Sequence, residues 1–526
     1  MGTKNFDNYS DLITFTRASS GTALRPISYG DELVTNGTFD SDSDWTKVNG
    51  ATVSGGTGNV ASAINSEIYQ TISTTVGKVY SVTATISGSN SATEGRLEVG
   101  YGTGSDHWVI LNRHVGGLTG TITEIFVATN TSTVVGLRNA YANYTYSIDN
   151  ISVREVLFDQ PNAPLTLFNH PTNVPRIEYD ADGNRLGLLV EESRTNLVTY
   201  SEDFTGSGWN ASDSAIASST VNAPDGSQNA FKIYENTLNE EHSSYFNFAY
   251  SSGIIYTISI FAKSAERDFL VLGTLNNSSQ LSIFNLADGV VDTVASSHDL
   301  ATIQNCGNGW YRCSTTFTES ASIRDYVIFG VSNSSGVVTY TGDGTSGIYV
   351  YGAQLEAGSF PTSYIPSNSG STTTRSADVA SIGVSEFGYN QDAVTVYWSG
   401  KFLSDAPFTE YSFNFNDGST GTDVTNSIRA FKFPDGTYQY RVSVGGTSSV
   451  LDSFSGITED LFKFCITADS SSAIGARNGS SKTDTSVTLP TGLTTLHIGA
   501  NFNGHIESIK HWPRKLTADQ LEALTS

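Results

Sequence analysis

The sequence predicts an all-β protein of tandem antiparallel β-sandwiches with a short C-terminal helix, and three observations carry that expectation. Gly (50), Tyr (25) and Phe (27) are abundant while only 15% of residues are charged, the usage of short strands joined by polar turns. Apolar and polar residues alternate over strand-length runs separated by turn signals every eight to twelve residues or so, with almost no helical periodicity. The chain also repeats itself. At 526 residues it is too long for one core and suggests three or four domains of roughly 100 to 200 residues each.

The repeat shows in three places. LVTNGTFDSDSDW from Leu33 matches LVTYSEDFTGSGW from Leu197, each with a Phe (Phe39, Phe204) after LVT and a Trp (Trp45, Trp209) at the same distance from the Leu. GKVYSVTATIS from Gly77 matches GIIYTISIFAK from Gly253. In the first, alternation puts Tyr80, Val82, Ala84 and Ile86 on one face and Val79, Ser81 and Thr83 on the other. The closing strands, YTYSIDNISVREV from Tyr144 and GIYVYGAQLEAG from Gly347, place Ile148 and Val153, and Val350 and Leu355, at equal spacing. Two domains of one fold therefore follow each other, the second with longer loops.

Composition excludes several classes. With 38% hydrophobic residues the chain can build cores, which excludes global disorder. No apolar run approaches the roughly 18 residues of a membrane helix, and MGTKNFDNYSD lacks the basic and apolar regions of a signal peptide. A net charge of −24 argues against nucleic acid and membrane insertion and keeps copies apart in solution. Three cysteines cannot make a disulfide scaffold; Cys306 and Cys313 face each other across an expected hairpin, where a reduced buried pair is favoured over a bridge, and Cys465 sits in the strand-like FKFCIT.

LVTNGTF with its Trp, the GxxYxVT strand and SIDNISV resemble the jelly-roll carbohydrate-binding modules of the galactose-binding-like superfamily. NGWYRCSTTF, Asn308 to Phe317, is similar to a strand of such modules in phage fibre proteins. FTRASSGT from Phe15 and PRIEYDADGNRLGLLVEESRTNL from Pro175 resemble two parts of a signature of bacteriophage tail or head fibres, matched at Pro175, Arg176, Tyr179, Asp180, Gly187, Leu188, Leu189, Glu191, Arg194, Thr195 and Asn196. The first sandwich then reads as an insertion into that motif. The C-terminal stretch from Leu496 resembles the last strand pair and closing helix of concanavalin A-like and laminin-G-like domains. Independently, Thr517 with Gln520 makes a capping box, and Leu516 can staple to Leu521.

The resulting division is an N-terminal virion-attachment arm at 1–30, an inserted sandwich at 31–156 and a connecting hairpin motif at 157–196, then a second sandwich at 197–358, a linker at 359–380 and a concanavalin A-like sandwich at 381–526. Within the hairpin, Asp180, Asp182, Asn184 and Glu191 have the spacing of a calcium loop, but Arg185 stands where that loop needs Gly, so a simple turn is expected. In the third unit, DAVTVYWSGKF puts Val394, Val396, Trp398 and Phe402 on one face, making Trp398 a core residue, and RAFKFPDGTYQYRVSV turns at Asp435 and Gly436.

No catalytic constellation is present: there is no nucleophile elbow, zinc pair, P-loop, C-x-x-C or alternating carboxylate triplet, and the eight histidines lack metal-ligand spacing. Sugar binding instead needs an aromatic face with polar groups beside it. Tyr101, Asp106 and Trp108 in GYGTGSDHWVILNRH are candidates, although a Trp opening a strand more often packs inward. In SSYFNFAYSSG, alternation leaves either Tyr245 or the set Phe246, Phe248 and Tyr250 facing outward. The carbohydrate-module resemblance implies a structural calcium near the backbone of Gly37 and the side chains of Asp40 and Asp149; bare turns explain the same residues.

The expectation is thus a non-enzymatic phage virion protein, a tail or head fibre, that displays glycan-binding domains to the host cell surface. It would be a homotrimer, held to other virion proteins through its N-terminal arm, made in the host cytoplasm and released by lysis. The alternatives are a purely structural decoration protein and a polysaccharide depolymerase.

Overall fold

The computed structural model describes the chain apart from residues 1–12, 90–94, 102–107, 115–119, 140–143, 277, 320–325, 404–408, 419 and 455–461. It also leaves aside the side chains of 89, 95, 101, 108–109, 111–114, 275–276, 278–279, 450, 452 and 454. Two compact units result: residues 26–164, and the chain on either side of them. Nearly every element is an antiparallel strand, and among the described residues the one α-helix is Ala518–Thr525. No described helix is long and apolar enough to cross a membrane.

The two repeats share one topology. In residues 26–164 one sheet runs Gly120–Val127, Val79–Ser89, Thr145–Phe158, Thr57–Val60, Thr52–Ser54, and the facing sheet runs Thr46–Val48, Ser66–Ser73, Ser132–Asn139, Gly95–Tyr101, Trp108–His114. The second sandwich has the same order in two six-stranded sheets, with Ile255–Ser264 and Gly347–Ala357 at the centre of one and Tyr326–Ser332 inside the other. Tyr80, Val82, Ala84 and Ile86 lie in the first core, as the alternation requires. Atomic details repeat as well. Trp45 Nε1 donates to the Asn36 carbonyl at 2.9 Å and Trp209 Nε1 to the Tyr200 carbonyl at 2.8 Å, each nine residues back. The Tyr80 and Tyr256 hydroxyls accept from the backbone N–H of Thr75 and Ser251, each five residues back. Both closing strands also carry a bulge, near Asp149 and opposite Ser259.

Hydrogen bonding draws the third sandwich from three separate parts of the chain, differing from the boundary expected at 381. Its first seven-stranded sheet begins with Thr14–Thr16, from the expected attachment arm, paired to Val379–Gly383. Its second begins with the hairpin Arg176–Tyr179 and Arg185–Val190, which joins through Leu188 opposite Ile506. Phe15 and Val190 accordingly share a core with Val394, Val396, Trp398 and Phe402. Gly187, at φ +124°, lies against the Ile506 carbonyl where any β-carbon would overlap. Asp180 accepts from the N–H of Asp182 and Asn184, so the loop is a simple turn.

The segment expected as a linker at 359–380 is an embedded strap. Tyr364, Ile365, Ser367 and Arg375 are buried, and Thr373–Arg375 pairs with Arg194–Asn196. The reason is polar: Asn196 donates to the Ala353 and Ile365 carbonyls and accepts from the N–H of Val198 and Leu355, a fully satisfied buried amide. The motif charges meet beside it. Arg17, Arg176 and Arg375 meet Asp378 and Glu191, all five at 5% exposure or less. Arg17 Nη2 also donates to the carbonyls of His170 and Pro171, joining the FTR segment to the hairpin side across more than 150 positions of sequence. Guanidiniums hold Glu191 well below the usual carboxylate range despite its burial.

The C-terminal helix carries the capping box, Thr517 accepting from Gln520 N and Gln520 returning to Thr517 N. Leu516 and Leu521 pack in one cluster with Tyr397 and Cys465. All three cysteines are free and buried.

Candidate functional site

The most site-like surface lies on the outer face of the second sandwich. Along SSYFN, Ser244 and Phe246 turn inward, with Phe246 and Tyr250 in the core and Phe248 packed against it. Of the two outward sets, the structure therefore selects Tyr245. It lies between Asn210 on one neighbouring strand and Ile328 on the other. Tyr326, on the same strand as Ile328, brings its ring to 5.0 Å from that of Tyr245 at an interplanar angle of 75°.

These two rings form one wall of a groove of about 350 Å³, floored by Ser243 and Ile328 and rimmed by Asp213, Glu240 and Glu241. Asp213 is held in place: its backbone is left-handed at φ +50°, its carbonyl faces His242 Nδ1, and its carboxylate accepts from Asn236 Nδ2 at 3.2 Å. The arrangement offers an aromatic surface to the apolar side of a pyranose and carboxylate acceptors to its hydroxyls, in a groove of ligand size. Its acidic rim disfavours an anionic ligand.

The repeat locates a counterpart that the sequence reading missed. Thr46 pairs with Tyr69 as Asn210 pairs with Tyr245, each one residue after the repeated Trp. Tyr69 thus holds the ladder position of Tyr245, beside Glu67, Glu98 and Arg138. Gly136 stands opposite it in place of Ile328, and a β-carbon there would overlap Tyr69. Tyr69 is 8% exposed, and the crevice around it has no room for a water molecule. The first copy is filled by its own side chains. Because Tyr69 lies 24 positions after Trp45 but Tyr245 lies 36 positions after Trp209, the match was hidden by loop length.

Of the other candidate residues, Asp106 and the side chains of Tyr101 and Trp108 lie outside the described residues; their strands pair Tyr101 opposite Trp108 at one side of the first sandwich. The Gly37 carbonyl accepts from Ile151 N at 3.0 Å. Asp40 accepts from Thr38 Oγ1, and Asp149 from the Asn150 backbone and side-chain N–H. Asp40 and Asp149 are thus engaged in local turns, and Gly37 is tied to the closing strand of the sandwich. Among the described residues, no group of three or more His, Cys, Asp or Glu side chains gathers to hold a metal.

One carboxylate pair approaches within reach of a shared donor. The Tyr351 hydroxyl lies 2.8 Å from Glu202 Oε1 and 3.1 Å from Asp225 Oδ2, and burial raises the Glu202 pKa. Tyr351 and Tyr364, at 2% and 1% exposure, sit over this pair in a cluster with Trp310 and Phe261. It ties the strap to the sandwich through Asn368 Nδ2 on Glu202. In the third sandwich, a cleft of about 520 Å³ is lined mainly by apolar side chains including Phe15, Ile177, Leu188 and Phe387. Another of about 740 Å³ has Glu192, Thr420, Thr422 and His497 around it without a flat aromatic platform.

No protein-family model matches the chain, and no curated protein sequence matches it. Among solved structures, the CBM40 of the Ruminococcus gnavus IT-sialidase is 18% identical, over 26% of this chain and 84% of that one, at a TM-score of 0.23. The tandem CBM22-1–CBM22-2 of Paenibacillus barcinonensis Xyn10C is 13% identical, over 64% of this chain and all of the other, at 0.20. Trypanosoma rangeli sialidase is 9% identical, over 96% and 94%, at 0.23. Likenesses this distant assign no role to any residue of this chain.

Proposed function

We propose that this chain is a non-catalytic glycan-binding protein whose second sandwich holds a neutral saccharide in the Tyr245 groove. The single observation that carries the reading is the Tyr245–Tyr326 ring pair set beside three carboxylates in a groove of about 350 Å³. Flat aromatic surface next to fixed acceptors is what a sugar's two chemically different sides require. Neutrality of the ligand follows from the acidic rim of the groove.

The wider role we assign is that of a bacteriophage fibre displaying this surface to host glycans. Its support is the FTR, PRIEYD and GLLVEESRTNL resemblance together with what those residues do: Arg17, Arg176, Glu191, Arg194 and Asn196 knit the sandwiches of one compact unit into a single body. A fibre domain gains from such rigidity because its surfaces are presented at a defined spacing. Trimerisation, attachment through the N-terminus and a structural calcium in the first sandwich belong to the same reading.

The test is a glycan array on the full chain followed by titration of its best neutral binder against Tyr245→Ala and Tyr326→Ala. Loss of a stacked ring should weaken binding by about 2 kcal/mol, about thirtyfold, with unfolding temperature unchanged. Wild-type affinity in both variants, or release of new reducing ends from the bound glycan, refutes the reading. Labelling of the C-terminus on intact particles, seen by electron microscopy, checks the virion role.

A further inference from the structure

The third sandwich carries a second, chemically opposite surface. In a chain with 28 basic against 52 acidic residues, Arg429 and Arg441 stand directly opposite one another on the neighbouring strands Ser427–Lys432 and Tyr438–Val444. Like charges in that position repel. Neither guanidinium makes an ion pair with a carboxylate of the described residues. Arg429, at 3% exposure, is met instead by serine hydroxyls: Ser427, Ser443 at 2.7 Å and Ser448 at 3.2 Å. Arg441, half-buried, spends its Nε on Gln439 Oε1 at 2.8 Å, and its terminal nitrogens have no acceptor among the described residues.

Aromatic rings frame these cations. Arg429 and Arg441 lie 5.4 and 5.3 Å from the Phe431 ring centre, and Arg441 also lies 5.6 Å from that of Phe433. Tyr411 is opposite Phe431 on the next strand, with ring centres 5.6 Å apart. Burial raises the Tyr411 phenol pKa while both guanidiniums pull it down, and burial with the nearby Arg441 pushes Arg429 down to about 10. Ring contact offsets part of the cost of desolvating a cation, but it supplies no counter-charge. A fold needing only packing here would be served by apolar residues, and one needing an ion pair has acids in excess.

We propose that the outer sheet face formed by Tyr411, Arg429, Phe433 and Arg441 binds a carboxylate-bearing saccharide. The planar fork of Arg441 matches a carboxylate in a way a lysine does not. Arg429 lies behind it as a fixed second positive charge, and the half-buried rings of Tyr411 and Phe433 offer apolar surface to the pyranose. The site is independent of the Tyr245 groove and opposite to it in charge.

The experiment is isothermal titration of the full chain with tetragalacturonate, its methyl-esterified form, α2,3-sialyllactose and inorganic phosphate. At least one acidic saccharide should bind, and Arg441→Gln should weaken it by about tenfold or more, the effect of one charge-assisted contact. Arg441→Lys should not restore it. Methyl-esterified tetragalacturonate should bind no better than the Arg441→Gln variant binds the acid, and Tyr245→Ala should leave acidic binding unchanged, which separates this site from the groove. Tyr411→Leu, which removes the half-buried ring, should also weaken acidic binding and gives a second reading should Arg441→Gln shift the unfolding temperature. The proposal falls if neither acidic saccharide binds, if binding ignores the methyl ester, if a folded Arg441→Gln keeps wild-type affinity, or if inorganic phosphate binds as tightly as the saccharides.

Discussion

Replacing Asp378 by Asn tests whether the motif charges act as the joint of the larger unit. The two side chains have the same shape, so the change removes charge and reverses one oxygen to a donor. In the native chain Asp378 Oδ1 accepts from Arg17 Nη1 at 3.1 Å, and Oδ2 accepts from Arg176 Nη2 and from Glu191 N at 2.9 Å. Arg375 Nη1 is a further 3.8 Å away. Without the charge, Arg17 loses its carboxylate partner, and Glu191, already paired with Arg176 and Arg375, also accepts from Ser363 N at 2.7 Å and Ser363 Oγ at 2.6 Å. Breaking a buried pair by removing one partner costs about 3–5 kcal/mol, because the remaining charge stays desolvated. At about 2–4 °C per kcal/mol for large domains, the unfolding transition of this unit should drop by about 10 °C in differential scanning calorimetry at pH 7. Residues 26–164 form their own compact unit, and their transition should not move. A drop smaller than about 1 kcal/mol would show that the network is solvated or redundant and would refute the reasoning.

Other outcomes follow from the same geometry. Glu191 has a depressed folded pKa, so its contribution is present above about pH 4.3, its unfolded value, and is lost as pH falls; Glu191→Gln should flatten acid denaturation below that pH. Glu410 shows the opposite sign. Burial outweighs Lys432 and pushes it up to about 7 from 4.5, so wild-type stability should decline as pH rises through that interval, and Glu410→Gln should abolish the decline in chemical denaturation profiles. Gly187→Ala meets both a left-handed backbone and the Ile506 carbonyl, and should fail to fold or lose several degrees of stability. Thr517→Ala removes the capping box and should cost about 1 kcal/mol, read as faster amide exchange in the C-terminal helix. Cys306 and Cys465, whose thiols burial pushes up to about 12, and Cys313, also raised, should resist an aromatic disulfide reagent at pH 8 until the chain is unfolded.

Much of the fold was legible because strands write themselves in period two. The alternation at Val79–Ile86 and the face Val394, Val396, Trp398 and Phe402 both appear in the cores they implied. The capping box was legible because its two hydrogen bonds are local. The site was legible in part. SSYFNFAYSSG left two outward sets open, and only the burial of Phe246 and Tyr250 in the sandwich core chose between them. Tyr326 and Tyr69 carried no local signal, since each gains its meaning from a strand far away in the chain.

The acidic balance spoke against an anionic partner for the whole molecule, and the Arg429–Arg441 pair shows how a global sum conceals a local field. Nothing in RAFKFPDGTYQYRVSV alone states that its two arginines sit face to face; that depends on the register set by the turn at Asp435 and Gly436. Likewise, the strap at 359–380 reads as a Ser- and Thr-rich linker because its burial depends on partners such as Asn196 and Glu191, outside the segment. The sequence by itself determined strand-rich sandwiches, their repetition and their turns, because periodicity, glycine conformations and caps act over a few residues. Only the tertiary structure decided which charges are buried together, which Tyr faces outward and which strands complete the third sandwich, because those follow from packing and hydrogen-bond register between segments tens to hundreds of residues apart.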